Sequence, residues 1–166
     1  DGLENLESPT FFLFAFKVNP AGNPYIGSGR LDGDGIPPDF FSDKDVRKAF
    51  AYSVDYDAYV RDVIRGKGRQ AKGFIPALLL GGAAEVPVYR LDPAKAAEHL
   101  RRAWGGRVWE KGFTLAAVFN DKSPPAQTLC NMLKKNVEAV NPKFRVEVRS
   151  IQWSTHLDHS QRGLIP

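Results

Sequence analysis

His156 and His159 stand three residues apart with Asp158 between them, a spacing that sets two imidazoles near one face of a helix. Zinc can use such a pair if a third ligand arrives from elsewhere. The only other histidine is His99, placed among ordinary helix residues, so the reading adopted is surface histidines and no metal. "LDGDGI" suggests a calcium loop, but with Asp34 and Gly35 at positions 5 and 6 the first and twelfth positions fall on Arg30 and Phe41, neither an oxygen ligand of that kind. "GKGRQAKG" offers glycines with Lys67, Arg69 and Lys72, yet it lacks the G-K-[ST] ending and follows a helical pattern instead of a strand, which makes it a solvated basic turn. Cys130 lies beside Leu129 and Leu133 on the apolar side of its pattern, the place of a buried thiol and not of a nucleophile. No nucleophile elbow, paired-carboxylate spacing or phosphate loop is present, and neither catalysis nor a cofactor is expected.

The elements that carry these residues follow from periodicity. "TFFLFAFKV" (10–18) reads as a buried strand, closed by the loop chemistry of "NPAGNPYIGSG" and a stretch of turn residues long enough to be suspect. From Asp43 to Val54 the residues Val46, Ala49, Phe50 and Val54 form one apolar stripe, and from Asp55 to Arg65 a second stripe runs through Tyr56, Tyr59, Val60, Val63 and Ile64. These predict two helices meeting at an angle, with Asp55 capping the second and Gly66 ending it. Phe50, Val54, Tyr59 and Val63 are expected in the core, and Arg47 is expected to pair with Asp43 or Asp55. A third helix begins at "DPAKAAEHLRRAW", where Asp92 caps, Pro93 fills the first turn and Arg101 and Arg102 sit at the negative end of the dipole. "GFTLAAVFN", "PAQTLCNMLKKNVEAV" and "KFRVEVRSIQW" read as strand, helix and strand, a unit that makes a right-handed crossover between parallel strands. "STHLDHSQRGLIP" predicts one short helix ended by Gly163, after which a further strand is expected to begin.

The 166 residues suit one domain, and an apolar share of 43% with a charged share of 25% is that of an ordinary globular protein. The longest apolar runs, "TFFLFAF" and "FIPALLLGGAA", are too short to span a bilayer. The net charge of +4 comes from 23 basic and 19 acidic residues that alternate along the chain, which gives a nucleic-acid partner little to bind. A single cysteine allows no internal disulfide. The chain begins with neither a signal peptide nor a lipid-attachment cysteine, and reads as a segment whose address lies elsewhere.

Several of these stretches together resemble the extracellular solute-binding proteins, family 5, of peptide and nickel ABC importers. "FFLFAFKVN" is followed by "FSDKDVRKAFAYSVDYDAYVRDVIRGKGRQAKGFIP", in which Asp43, Val46, Arg47, Ala49, Tyr52, Val54, Asp55, Val60, Gly66 and Pro76 fall on the family's pattern. "YRLDPAKAAEHLRRAW", "GFTLAAVFN" and the "QW" closing the later strand continue the likeness. Ser53 stands where that pattern has Ala, Trp104 where it has Gly, and "AGNPYIGSGRLDGDGIPPDF" is longer than the family's linker.

The resemblance implies an α/β fold, one lobe of a periplasmic-binding-protein-like (type II) architecture with a mixed sheet flanked by helices. Residues 1–166 would form a single, partial domain, most of the second lobe, with the other lobe elsewhere in the same polypeptide. It implies capture of a peptide or similar solute outside the cytoplasmic membrane and delivery to an ABC permease, without catalysis. The protein would be periplasmic or extracellular, with any lipoprotein anchor in a part beyond this sequence. A basic nucleic-acid module or a metal-dependent enzyme domain are the alternatives. In open α/β sheets ligands bind where strand ends meet helix starts, which points to "FNDKSPPAQ". There Asn120, Lys122 and Ser123 either offer polar groups to a peptide or form a plain solvated loop. Trp153, placed like an aromatic of the family's peptide pocket, is either a pocket wall or a hydrophobic lid.

Overall fold

Residues 13–71 and 88–166 are described by the computed structural model. Within the first stretch, a 3-10 turn at Phe40–Ser42 leads into helix α1, Lys44–Tyr52. Asp43 is the hinge of this corner: one carboxylate oxygen accepts the Asp45 N–H at 2.7 Å, capping α1, and the other accepts the Trp104 N–H at 2.7 Å. Val46, Ala49, Phe50 and Val54 are buried, as their stripe predicts. The Phe50 ring meets those of Phe14, Phe41 and Phe113 at 5.5, 5.3 and 6.0 Å between centroids, so one side chain joins the N-terminal stretch, the 3-10 turn and the sheet.

The second helical pattern folds less regularly. Asp55 caps it, accepting the Ala58 N–H at 2.9 Å, but the α-turn of α2 (Tyr56–Ala58) widens at once into a π-turn over Tyr59–Val63. A π-turn inserts one residue into the helical repeat and rotates the later residues off the stripe. Tyr59 and Val63, expected in the core, are consequently only half-buried. Arg65 and Gly66, both at positive φ, end the element. Pro76 and the "FIPALLLGGAA" run lie outside the described residues.

Helix α3, Pro93–Arg102, starts as the sequence predicts, with Asp92 accepting the Lys95 N–H at 3.0 Å and Pro93 in the first turn, and packs Ala96 and Leu100 against α1. A 3-10 turn, Ala103–Gly106, and a short helix α4, Arg107–Lys111, then intervene before the sheet. Sequence periodicity does not reveal α4, because five residues are too few to show a helical stripe. Trp104 has φ 52° and ψ 37°, the left-handed region, which accounts for glycine in the family pattern at this position. The tryptophan occupies it anchored by its Nε1–H, which donates to the Phe40 carbonyl at 3.2 Å.

Strand β1 (Phe113–Asn120), helix α5 (Pro124–Val140) and strand β2 (Phe144–Ile151) form the expected crossover, with β1 and β2 parallel from Phe113↔Phe144 to Asn120↔Ile151. Gly112 precedes β1 at φ 77°, and a Cβ there would collide with the Lys143 carbonyl, so the strand can start this close to β2 only with glycine. Phe113, Leu115, Ala117 and Phe119 join the helical core. Ala116 and Val118 pack instead with Tyr25, Leu164 and Ile165. The long loop of residues 19–39 therefore has a structural task, covering the second face of β1. It is held by a Gly27–Gly35 bridge, by the Thr114 hydroxyl donating to the Gly33 carbonyl at 2.8 Å and by Arg149 donating to the Pro24 carbonyl at 2.7 Å. Helix α6, Trp153–Gln161, comes directly after β2.

Two further expectations fail. Residues 13–18, the described part of the expected first strand, form no strand: Leu13 and Phe16 are exposed, Phe14 stacks on Phe41 at 4.5 Å, and Val18 makes a single bond to the Pro38 carbonyl. Aromatic density here reflects packing onto the helical corner, which needs no ladder. Arg47 pairs with no acid among the described residues; it donates to the carbonyls of Phe41 and Ser42 at 2.6 and 2.8 Å and lies 4.5 Å over the Phe16 ring. The carbonyls left open by the preceding 3-10 turn are nearer than either aspartate and supply its partners.

Candidate ligand-binding site

The carboxyl ends of β1 and β2 are tied together by the Asp121 N–H, which donates to the Ile151 carbonyl at 2.9 Å, so the two segments that leave the sheet start side by side. On the β1 side Asn120 builds a tight turn: its side-chain oxygen accepts the Lys122 N–H at 3.1 Å and its carbonyl accepts the Ser123 N–H at 2.9 Å. Ser123 then begins α5 through its carbonyl, accepting the Gln127 N–H at 3.0 Å, while its hydroxyl makes no capping bond. Pro124 and Pro125 come next and carry no N–H, so of the first three helical positions only Ala126 brings a backbone donor. Apart from the Ala126 N–H, polar contacts at this helix start come from side chains. Asp121 and Lys122 are exposed, and neither forms an ion pair among the described residues.

On the β2 side, Gln152 turns the chain and Trp153 opens α6 with 54% of its surface exposed. The indole is held by the His156 ring, stacked beneath it at 5.5 Å with 15° between planes, and Leu157 lies exposed on the next turn. An exposed tryptophan with its ring orientation fixed from below can contact an apolar or aromatic group at small entropic cost.

The four residues singled out from sequence thus fall at one edge of the sheet. Asn120 spends its oxygen on the turn, whereas Lys122, Ser123 and Trp153 keep their side-chain groups open. Sequence reasoning misses Asp121 and His156: the acid has no feature that distinguishes it within "FNDKSPPAQ", and the imidazole reads only as a metal ligand or a surface histidine. Sequence spacing three apart at the start of a helix is the signal that could have paired His156 with Trp153.

The remaining ionisable clusters do structural work. His99, read as an ordinary surface residue, has only 12% of its side chain exposed; its Nδ1–H donates to Asp45 at 2.6 Å, joining α3 to α1, and its ring stacks on Tyr52 at 5.8 Å. That hydrogen bond, and Arg102 beside it, hold the Asp45 carboxyl below the usual carboxylate range. His159 is likewise partly buried, sharing a 2.5 Å hydrogen bond with the Tyr25 hydroxyl, whose own pKa is raised by burial against a lowering pull from Arg149. Burial pushes the Cys130 thiol up to about 11, which removes thiolate at neutral pH. Among the described residues no three His, Cys, Asp or Glu side chains converge to hold a metal ion, and no helix is long and apolar enough to cross a membrane.

This arrangement of a crossover sheet, flanking helices and an open strand-end edge is that of a periplasmic-binding-protein fold. It superimposes on the periplasmic binding protein DppA from Helicobacter pylori, solved in complex with the peptide STSA, with a TM-score of 0.61 over 73% of this chain and 22% of that one, at 18% identity. NikA from Brucella suis, solved in complex with Fe(III)-EDTA, matches with a TM-score of 0.59 over 73% of this chain and 26% of that one, at 18% identity. The dipeptide-binding protein of Escherichia coli (strain K12) is 29% identical over 125 residues, 73% of this chain and 22% of the relative. The chain belongs to the bacterial extracellular solute-binding proteins, family 5, whose middle-region model matches residues 2–165. It spans about a fifth of the length of the curated dipeptide-binding relative it matches.

Proposed function

We propose that the chain is part of a two-lobed substrate-binding component of an ABC importer, which captures peptides or similar solutes outside the cytoplasmic membrane and delivers them to its permease. The second lobe lies elsewhere in the same polypeptide on this reading, and any lipid anchor lies outside the sequence. Binding, without bond making or breaking, is its task. The observation that carries the proposal is the strand-end edge: an exposed, ring-stacked Trp153 beside a turn whose Lys122 and Ser123 side chains are unengaged. Lys122 supplies a cation for a ligand carboxylate, the Ser123 hydroxyl and the Asn120 amide supply hydrogen bonds to a peptide backbone, and Trp153 supplies a wall for a side chain. Closure of the lobes would bury the solute between two walls.

Calorimetric titration of the whole protein with di- and oligopeptides, and separately with nickel chelates, tests the reading. Micromolar heats with peptides are expected. Residues 1–166 alone, presenting one wall, should bind them about a thousandfold more weakly if half of a micromolar ligand's roughly 8 kcal/mol comes from the other lobe. Absence of any peptide heat from the whole protein, or undiminished affinity in residues 1–166, would overturn it.

A further inference from the structure

Among the described residues, strand β2 is paired on one side only. In the parallel ladder with β1, the main-chain groups of Lys143, Arg145, Glu147 and Arg149 face β1, as the Phe113 N–H bond to the Lys143 carbonyl fixes, and those of Phe144, Val146, Val148 and Ser150 point outward. Among the described residues no strand pairs there. The first of these outward groups, the Phe144 N–H, is turned back onto the Asn141 carbonyl at 2.9 Å. Val146 is engaged on both counts: its N–H donates to Glu138 Oε1 at 2.9 Å, and its carbonyl accepts from Lys134 Nζ at 2.8 Å. Lys134 and Glu138 are themselves an ion pair, one turn apart on α5, at 2.5 Å. One donor and one acceptor thus reproduce at Val146 what a neighbouring strand would offer.

The position of this pair identifies what it excludes. An open edge is a template for another chain, and the partner always present at matching concentration is a second copy. Antiparallel pairing of β2 with itself about Val146 sets Val146 opposite Val146, Phe144 opposite Val148, and Arg145 opposite Glu147 twice. That register matches apolar to apolar and cation to anion, and it keeps every outward residue opposite an outward residue. Arg145 and Glu147 are exposed, and Glu147, which accepts from Arg149 within the strand, would exchange that partner for Arg145 of the second copy. The most self-complementary register is therefore centred on the residue whose two main-chain groups are already taken.

We propose that Lys134 and Glu138 are an edge guard: by occupying the main-chain N–H and carbonyl of Val146 they keep β2 from pairing with β2 of a second copy, and so keep the protein monomeric. The i,i+4 ion pair also steadies α5, but a role confined to the helix would leave association unchanged when the pair is replaced by good helix formers. Sedimentation of the intact protein carrying Lys134→Met and Glu138→Met, at a concentration where the wild type is monomeric, is the first measurement. Dimers or larger species are expected, and adding Arg145→Glu, which sets Glu opposite Glu, should return the variant to monomer. A synthetic peptide of residues 144–151 is the second probe, expected to bind the double variant at least tenfold more tightly than the wild type. If the double variant does not fold, Glu138→Ala, which frees only the Val146 N–H, takes its place in the peptide titration with the same expected direction. A variant that stays monomeric and binds the peptide no better than wild type overturns the proposal, as does association that Arg145→Glu leaves unchanged.

Discussion

The contact between α1 and α3 and the edge where β1 and β2 end are both rich in polar groups, yet they use them in opposite ways. Between the helices, Asp45 serves His99 and Arg102, Arg102 also serves Glu98, and Asp43 caps α1 while catching the Trp104 N–H. Their hydrogen-bonding capacity is spent inside the molecule, even though Arg102 and Glu98 are themselves largely exposed. At the strand ends, Asp121 and Lys122 have no ion-pair partner among the described residues, the Ser123 hydroxyl caps nothing, and an indole stands in solvent. Polar residues that satisfy one another hold a scaffold; polar residues held in place by their backbones with side chains left open are available to a ligand.

The largest effect that sharpens this contrast lies beneath the scaffold. Replacing Phe50 with Ala removes the ring shared by three aromatic neighbours and should cost roughly 3–5 kcal/mol in denaturant unfolding. A loss below about 1 kcal/mol would show that the aromatic cluster does not hold the helical corner together. Next comes Trp104, where two substitutions separate conformation from contact. Both Trp104→Ala and Trp104→Gly delete the indole and its bond to Phe40, but only glycine takes the left-handed backbone freely, so the glycine variant should be more stable than the alanine variant by about 1 kcal/mol. Equal stabilities would mean that this backbone conformation carries no strain.

A smaller effect concerns the clasp itself. The Asp45 carboxyl is held below its ordinary range by the His99 hydrogen bond first, and by Arg102. A depressed folded-state pKa contributes stability that is present above the unfolded value of about 3.9 and is lost as pH falls through the lower folded value. The stability gap between wild type and Asp45→Asn should therefore be full at pH 6 and narrow progressively below about pH 4. Denaturant midpoints measured at both ends check this; a gap independent of pH would contradict the clasp.

These comparisons also show what local sequence conveys. Helices α1, α3 and α5 and the parallel pair β1–β2 are readable because each carries its own signals: Asp92 as a cap, Pro93 in a first turn, and apolar residues at one period. What escapes depends on partners distant in the chain. His99 looks ordinary until α3 brings it 2.6 Å from Asp45, 54 residues earlier. Arg47 finds two carbonyls in place of an acid because the 3-10 turn leaves them open. The π-turn over Tyr59–Val63 shifts an apolar stripe that the sequence writes as regular. The loop 19–39 reads as an irregularity because the strand face it covers lies some 80 residues downstream. At the candidate site, the turn residues and Trp153 can be placed from the strand-end rule and the family pattern, whereas the stacking of His156 beneath the indole emerges only with the first turn of α6.

The central claim is that the strand-end edge is used by a ligand and not by the fold, and Trp153→Ala in the whole protein tests it most directly. Peptide affinity by calorimetry and the unfolding midpoint are measured on the same preparation. The account predicts a dissociation constant at least tenfold higher, about 1.4 kcal/mol of binding free energy, with stability changed by less than about 0.5 kcal/mol because the side chain is exposed. Affinity within twofold of wild type, accompanied by a sharp fall in the unfolding midpoint, would make Trp153 part of the scaffold and contradict the claim.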